Sequence, residues 1–407
     1  MTLYDQYGKE ILTNKPILRE VAVQSIRDRY SSYPSQGLTA ERLAAILKEA
    51  DQGYILRQAE LFAEMEEKDA HLGSVLQTRK RAVAGLEWEL QDATDSPQDK
   101  LITGKAREML AYFEAFDDFL FDLLDAIGKG FSVQELMWAI SEGQVWLTGY
   151  NWIHQKRFTF SGPQAKSGEQ TIWPLLETPR LLTDAEPIYG ENLLPNKFVF
   201  HRHKTRSGTT ARGGIIRPCA YMYLFKNYDI KDWLIFNELF SVPMRVGKYK
   251  SGATPADIET LKSAVMNLGV DAAAVISENT LIEIVESAQR GNVSVFRDLA
   301  DFCDRAMSKA VLGHAGSADS TPGKLGSETS ANDVRQDILE SDAKPVSRTV
   351  RLQVLGPWVL YNFGPAANVP KFKLLAEEGE DLKAKADTYN VLISAGFDQV
   401  PVSHIHE

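Results

Sequence analysis

A chain of 407 residues is long enough for a sizeable core and two or three domains, and 44% hydrophobic with 25% charged residues is the composition of an ordinary folded protein. The net charge of −10 argues against a tight, general grip on nucleic acid, because such a grip comes mostly from neutralising phosphates. The two cysteines, Cys219 and Cys303, are too few for a disulfide framework and sit among apolar residues, so they read as reduced, buried thiols.

The N-terminal "MTLYDQYGKEILTNKP" lacks the apolar core of a signal peptide, and residues 1–37 read as an irregular arm. "LTAERLAAILKEADQG" predicts a helix that Thr39 caps, with Arg42 standing where a full capping box needs an acid or amide. "YILRQAELFAEMEEKDAHLGSVLQTRKRAVAGL" continues as one or two amphipathic helices, and "EWEL" alternates like a strand. After the polar loop around Ser96, "LITGKAREMLAYFEAFDDFLFDLLDAIGKGF" predicts a helix ending near Gly128 and Gly130. On it Asp118, Asp122 and Asp125 fall at i, i+4 and i+7, which puts three carboxylates on one face as a solvated or channel-facing stripe.

From Phe131 to Phe200 short alternating runs such as "FSVQELMWAI" and "KFVFHRH", broken by Gly, Pro and Asn, predict a β-rich module inserted between two helices. Its trailing edge, "HRHKTRSGTTARGGIIRP", carries Arg202, Lys204, Arg206, Arg212 and Arg217 with no acid, and reads equally as an exposed flexible loop or as a loop that touches phosphate or an acidic partner. "RPCAYMYLFKNYDIKDWLIFNELFSVP" then predicts a helix between Pro218 and Pro243. Lys226, Asp229, Lys231, Asp232 and Glu238 exclude a membrane span, since each central charge costs about 2.5–3.5 kcal/mol in a bilayer. Its apolar residues cover more than one face, so it is buried on several sides or packed against copies of itself.

"MRVGKY" reads as a strand, "TPADIETLKSAVMNLG" as a helix opened by Thr254 and Pro255, and "AAAVISENTLIEIVE" as two strands joined by a turn. "VSVFRDLADFCDRAMSKAVLG" is an amphipathic helix stopped by Gly313. A small, glycine-rich run follows, then a long helical pattern from Ala331 to about Leu355 with Pro345 inside, where a kink or break is expected. A last helix or two lies beyond Lys373.

No catalytic signature emerges. "GSADSTPGKLG" has the wrong spacing for a P-loop, with Leu325 where the Mg²⁺-binding hydroxyl belongs. The pairs His201/His203 and His404/His406 lack a carboxylate or Cys at ligand spacing and read as surface histidines. No catalytic, cofactor or metal residue is assigned.

The ordered set "GLTAERLAAILKEADQGY", "AEMEEKDAHLGSVLQTRKRAVAGLEWEL", "RPCAYMYLFKNYDIKDWLIFNELFSVPMRVGKY" and "FRDLADFCDRAMSKAVLG" with its following long helix resembles the portal proteins of Mu-like tailed phages. That resemblance implies an α+β, multidomain portal fold with wing, helical stem, β-rich clip, kinked tunnel helix and partial crown. Mapped onto this chain it implies an arm at 1–37, a first part of the wing at 38–104 and a first stem helix at 105–130. The clip falls at 131–216, the second stem helix at 217–243 and the second part of the wing at 244–312. A tunnel loop at 313–330, a kinked helix at 331–372 and the start of a crown at 373–407 complete the assignment; family members extend further at this end.

The implied function is a ring, most often a dodecamer, at the capsid vertex of the virion, through which double-stranded DNA is packaged and ejected. The implied partners are other copies of the chain, a terminase large subunit, head-completion or adaptor proteins, and capsid and scaffolding proteins, with assembly in the host cytoplasm and no membrane. Ring packing falls to Tyr221, Leu224, Phe225, Tyr228, Trp233, Phe236, Leu239 and Phe240. DNA contact falls to Ser317, Ser320, Thr321, Gly323, Lys324 and Gly326, while Arg202, Lys204, Arg206 and Arg212 of the clip either guide DNA or, equally, bind an acidic neighbour there. Two rival readings are a metal-dependent cytosolic α+β enzyme using Asp118, Asp122 and Asp125, and a monomeric phage head adaptor or scaffold.

Overall fold

The computed structural model describes residues 3–4, 10–11, 15–23, 33–160, 177–240, 244–249, 251–267, 280–285, 294–314 and 325–376. Helices and strands are mixed as expected for an α+β chain, which divides into two compact units. One unit comprises Met1–Pro218 with Ser308–Glu407, the other Cys219–Met307.

In the first unit a short pair, β1 (Leu3–Tyr4) with β2 (Glu10–Ile11), precedes the helices. α1 (Ala40–Asp51) starts where Thr39 Oγ1 accepts the Arg42 N–H at 3.2 Å, the half capping box that the sequence predicts. α2 (Leu56–Lys68) and α3 (Ala70–Ala84) are two helices rather than one, because the Asp69 carboxylate accepts the His71 and Leu72 N–H groups and restarts the chain. β3 (Trp88–Gln91) follows. α4 (Pro97–Tyr112) has Pro at its first position and Ser96 as its cap.

The single helix expected over 105–130 does not form. The chain turns at 113–115 between α4 and α5 (Phe116–Leu123), then continues as α6 (Asp125–Lys129). Aromatic packing drives the turn: Phe116 stacks on Phe119, Phe113 meets both edge-on, and Trp88, Tyr150 and Phe372 close around them at ring separations of 5.3–6.1 Å. A straight helix could not turn all three phenylalanines into that cluster. α6 ends on Gly130 at φ 94, where an added Cβ would lie 2.6 Å from the Thr210 carbonyl.

The expected β-rich stretch is there, as β4 (Phe131–Ser141), β5 (Gln144–Ile153), β6 (Phe158–Thr159), β7 (Arg180–Leu181), β8 (Glu191–Asn192) and β9 (Phe198–Arg202). They make two antiparallel sheets, ordered β5–β4–β9 and β6–β7–β8. The stretch is not a free-standing insertion. Phe131, Val133, Ile153, Phe158 and Phe160 share one apolar core with Ala50 and Ile55, which flank the α1–α2 turn.

The long C-terminal helix begins six residues earlier than predicted. α10 (Leu325–Val350) runs through Pro345 without ending, passes into a π-helical turn at Arg351–Leu355, and continues as α11 (Gly356–Phe363). The irregularity therefore follows the proline instead of sitting on it, and it places two amides on the sheet. Gln353 accepts the Phe200 N–H at 2.8 Å and donates to the Phe200 carbonyl at 2.9 Å, on edge strand β9. Asn362 does the same for Val145, at 2.8 and 3.0 Å, on the opposite edge strand β5. One helical segment thus closes both edges of the three-stranded sheet. Gln353→Leu and Asn362→Leu are each expected to lower stability by about 1–3 kcal/mol, since each orphans a backbone donor and acceptor; urea unfolding measures it. β12 (Lys371–Leu374) returns to pair antiparallel with β3.

The second unit is built from α7 (Ile216–Phe240), which enters it at Cys219, and from β10 (Met244–Tyr249), α8 (Pro255–Asn267), β11 (Thr280–Val285) and α9 (Ser294–Leu312) up to Met307. Thr254 and Asp257 cap α8 reciprocally, at 3.1 and 3.3 Å. β10 and β11 pair antiparallel from Met244↔Val285 to Tyr249↔Thr280. Leu261 and Val265 of α8 lie so near Gly247 that a Cβ there would meet both within 3.1 Å. The strand predicted N-terminal to Thr280 lies outside the described residues.

Candidate functional site

α7 finds its partner in α9, not in the 105–130 segment that the sequence reading paired with it. Lys226 Nζ meets Asp304 at 2.6 Å, Trp233 stacks on Phe296 at 6.4 Å, and Phe236 meets the same ring at 5.6 Å. Rising positions on one helix meet falling positions on the other, so the two run antiparallel with β10, α8 and β11 between them in the chain.

At about 100° per residue, Lys226, Trp233 and Phe236 define the inner side of α7. Tyr221, Phe225, Tyr228 and Ile235 recur at i, i+4, i+7 and i+14 on one flank, and Ile230 with Leu234 lies on the other. All six are exposed, up to 60% for Leu234. α9 adds Val295, Leu299 and Phe302 at i, i+4 and i+7, the last 61% exposed. Scattered single apolar residues on a surface are normal, whereas stripes on both flanks of a hairpin are not.

Of the residues expected to pack between copies, Tyr221, Phe225 and Tyr228 are therefore on an open face. Trp233 and Phe236 are half-buried against Phe296, and Leu224 is buried within its own chain. Leu239 and Phe240 fall in the last turn of α7, their side chains outside the described residues. Ser317, Ser320, Thr321, Gly323 and Lys324 also lie outside the described residues, and Gly326 is in the first turn of α10.

The basic segment is divided in its roles. Arg217 is engaged internally, with Asp51 at 2.7 Å and Gln58 Oε1 at 2.9 Å, and Arg212 joins Asp51 at 3.5 Å. Arg202 pairs with Glu177 at 3.3 Å, and Lys204 and Arg206 are exposed. The reading of all four as a docking patch narrows to those two exposed cations. No local signal in the sequence marks Asp51, about 160 residues away, as the anchor of Arg212 and Arg217.

The aspartates do not form a solvated stripe. Asp125 is buried, held by Lys129 Nζ at 2.9 Å and Lys80 Nζ at 3.5 Å and accepting from Gln155 at 2.6 Å. Burial works to raise its pKa, but the two lysines outweigh it and keep the group below the usual carboxylate value. Burial raises the pKa of Asp122, which accepts the Tyr150 hydroxyl at 2.8 Å, while Asp118 is exposed. The three differ in burial and hydrogen-bond partners, although the charges of Asp125 and Asp118 both add to the raised pKa of Asp122, and no group of three or more potential metal ligands occurs among the described residues.

His201 and His203 are not surface groups. His201 is 2% exposed and shares a hydrogen bond with Thr349 at 2.9 Å; His203 sits 3.8 Å from Asp342. Burial pushes them down to about 3 and about 4, with His203 also repelling His201, while for His203 Asp342 opposes the burial. Both are neutral in the folded state, and the unfolded chain binds their protons from about pH 6.5 downward. Stability is full above that pH and falls as pH drops towards 4. By pH 5 each is expected to have cost about 2 kcal/mol. Urea unfolding at pH 7.5 and 5 checks this, and His201→Asn should roughly halve the pH-dependent loss.

The family model described as "Portal protein of Mu bacteriophage" matches residues 59–407. The chain is 31% identical over 396 residues to the Mu-like prophage FluMu protein gp29 of Haemophilus influenzae, covering 95% of this chain and 73% of that protein. It is also 31% identical over 389 residues to the portal protein of Escherichia phage Mu, covering 94% and 72%. Among solved structures, a chain of the virion of a native gene transfer agent particle superposes with TM-score 0.57 at 10% identity, covering 86% of this chain and 93% of that one. A chain from the neck of the native gene transfer agent particle, computed with C12 symmetry, gives TM-score 0.52 at 12% identity, covering 81% and 87%.

Proposed function

The chain belongs to the portal protein family of bacteriophage Mu, and from that membership we propose that copies of it close into a ring around double-stranded DNA at the capsid vertex of a virion. The carrying observation is the pair of apolar flanks on the α7–α9 hairpin. A subunit in a closed ring meets one neighbour on each side, and a hairpin greasy on both sides suits that demand. The C12 symmetry of the gene transfer agent neck supports twelve copies. In this reading α7 and α9 are the two stem helices, and β10, α8 and β11 between them form the clip that docks head-completion or adaptor proteins. The wing then includes the 105–130 helices and the β-rich 131–216 stretch, whose core is shared with α1 and α2.

The glycine-rich run 313–330, with Lys324, faces the DNA, where a net-negative wall leaves the duplex free to slide. A separate terminase supplies the packaging energy, and capsid and scaffolding proteins receive the wing during assembly in the host cytoplasm. Mass measurement of the purified protein by light scattering, with negative-stain images, tests the ring. Closed annular particles of about a dozen copies are expected. Solitary copies at micromolar concentration overturn the reading.

A further inference from the structure

We infer that the α7–α9 hairpin joins the next copy head to tail: its broad aromatic face receives Ile230 and Leu234 of that copy, and its Asp232 meets the next copy's Arg297. The inference rests on the ring reading and specifies the contact within it.

The two faces of the hairpin are unlike. Trp233 and Phe236 of α7 pack on Phe296 of α9, where Cys303 and Met307 are buried, and these residues set the inner line of each helix. At about 100° per residue, Tyr221, Phe225, Tyr228 and Ile235 of α7 and Leu299 and Phe302 of α9 all turn the same way from that line. Because the helices are antiparallel, turning the same way brings both sets to one face. All six are exposed. The opposite face is narrow. There Ile230 and Leu234, 39% and 60% exposed, share the surface with the ion pair of Arg297 and Asp301 at 3.7 Å.

Two aromatic faces packed together would close a two-fold pair and leave nothing for a third copy. A ring of more than two copies needs one face set against the other. Cyclic symmetry has no rise, so in a stem helix along the ring axis each residue stands at one height in every copy. Height changes by only about 1.5 Å per residue. Ile230 of the next copy therefore arrives at the level of Tyr228, and its Leu234 at the level of Ile235. Charge follows the same geometry. Asp232 is exposed on the aromatic face, between Tyr228 and Ile235 along the stripe. Trp233 stacks on Phe296 across the antiparallel pair, so their chain neighbours Asp232 and Arg297 share one height on opposite faces. A head-to-tail contact brings these two together, and gives a guanidinium to a carboxylate that the aromatic interface would otherwise bury alone.

The test follows ring formation by light scattering over a dilution series, with the unaltered chain alongside. I230D/L234D is expected to remain as single copies with unchanged circular dichroism, although its aromatic face is intact. D232R and R297D, both at exposed positions, are each expected to raise the concentration of half-assembly by about fivefold or more. Mixing those two single variants in equal amounts is expected to restore assembly, because copies alternating around an even-numbered ring match opposite charges at every junction. The double variant D232R/R297D should assemble by itself for the same reason. Rings of I230D/L234D as stable as those of the unaltered chain overturn the inference. So do charge reversals that change nothing or that mixing fails to rescue. In each of those cases rings of the unaltered chain leave the ring reading standing, whereas single copies of the unaltered chain overturn both.

Discussion

Replacing Phe225 and Phe302 together by aspartate is expected to turn a ring into single copies without unfolding them. Both side chains are already exposed in one copy, at 42% and 61%, so their loss changes the stability of the isolated fold little. At an interface each aromatic ring contributes about 1.5–3 kcal/mol of burial, and a carboxylate in its place adds desolvation cost. Two positions therefore weaken every interface by about 4 kcal/mol or more, roughly a thousandfold in association constant. In a closed ring the same defect recurs at every junction, so assembly fails as a whole. Light scattering reads the change in mass, and unaltered thermal unfolding of the separated copies shows that the fold survives. A variant that still forms rings removes the stem flanks as the contact surface.

Lys129→Met carries the largest expected loss of folding stability. Lys129 and Lys80 face Glu66 and Asp125 in a buried group of two positive and two negative charges, with Lys129 Nζ at 3.4 Å from Glu66 and Lys80 Nζ at 2.5 Å from it. The methionine fills the same space but leaves one negative charge uncompensated, a loss of about 3–5 kcal/mol. The double variant Lys129→Met with Asp125→Asn should lose less than the two single changes summed, because it restores the balance. In the single variant, burial without Lys129 lifts a carboxylate pKa above its unfolded value. The penalty is then present at neutral pH and relieved as pH falls through that raised value. Urea unfolding at two pH values checks both the size and the sign.

Local chemistry was legible in the sequence wherever it was self-contained. The Thr39 and Thr254 caps, the left-handed Gly130 stop and the amphipathic patterns each depend on neighbours within a few residues, and each appears where the pattern puts it. The aromatic character of α7 was legible too, and the structure divides it between contacts with α9 and exposed flanks. The break at 113–115 was not legible, because Phe113, Phe116 and Phe119 fit helical periodicity until Trp88, Tyr150 and Phe372 draw them into one cluster. Nor were the histidine burial and the internal use of Arg217, whose partners Thr349, Asp342 and Asp51 are more than 130 residues distant in the chain.

The amino-acid sequence by itself determined which segments are helical, where they are capped, and that α7 carries more apolar surface than one core face can take. The tertiary structure alone decided that α7 pairs with α9, that two amides from the α10–α11 segment close both edges of a sheet, and that Asp232 and Arg297 share one height on opposite faces of the hairpin. An apolar or charged face specifies a kind of partner but not its identity. Any segment of matching period or sign satisfies it equally until the chain, brought together over long separations, leaves room for only one.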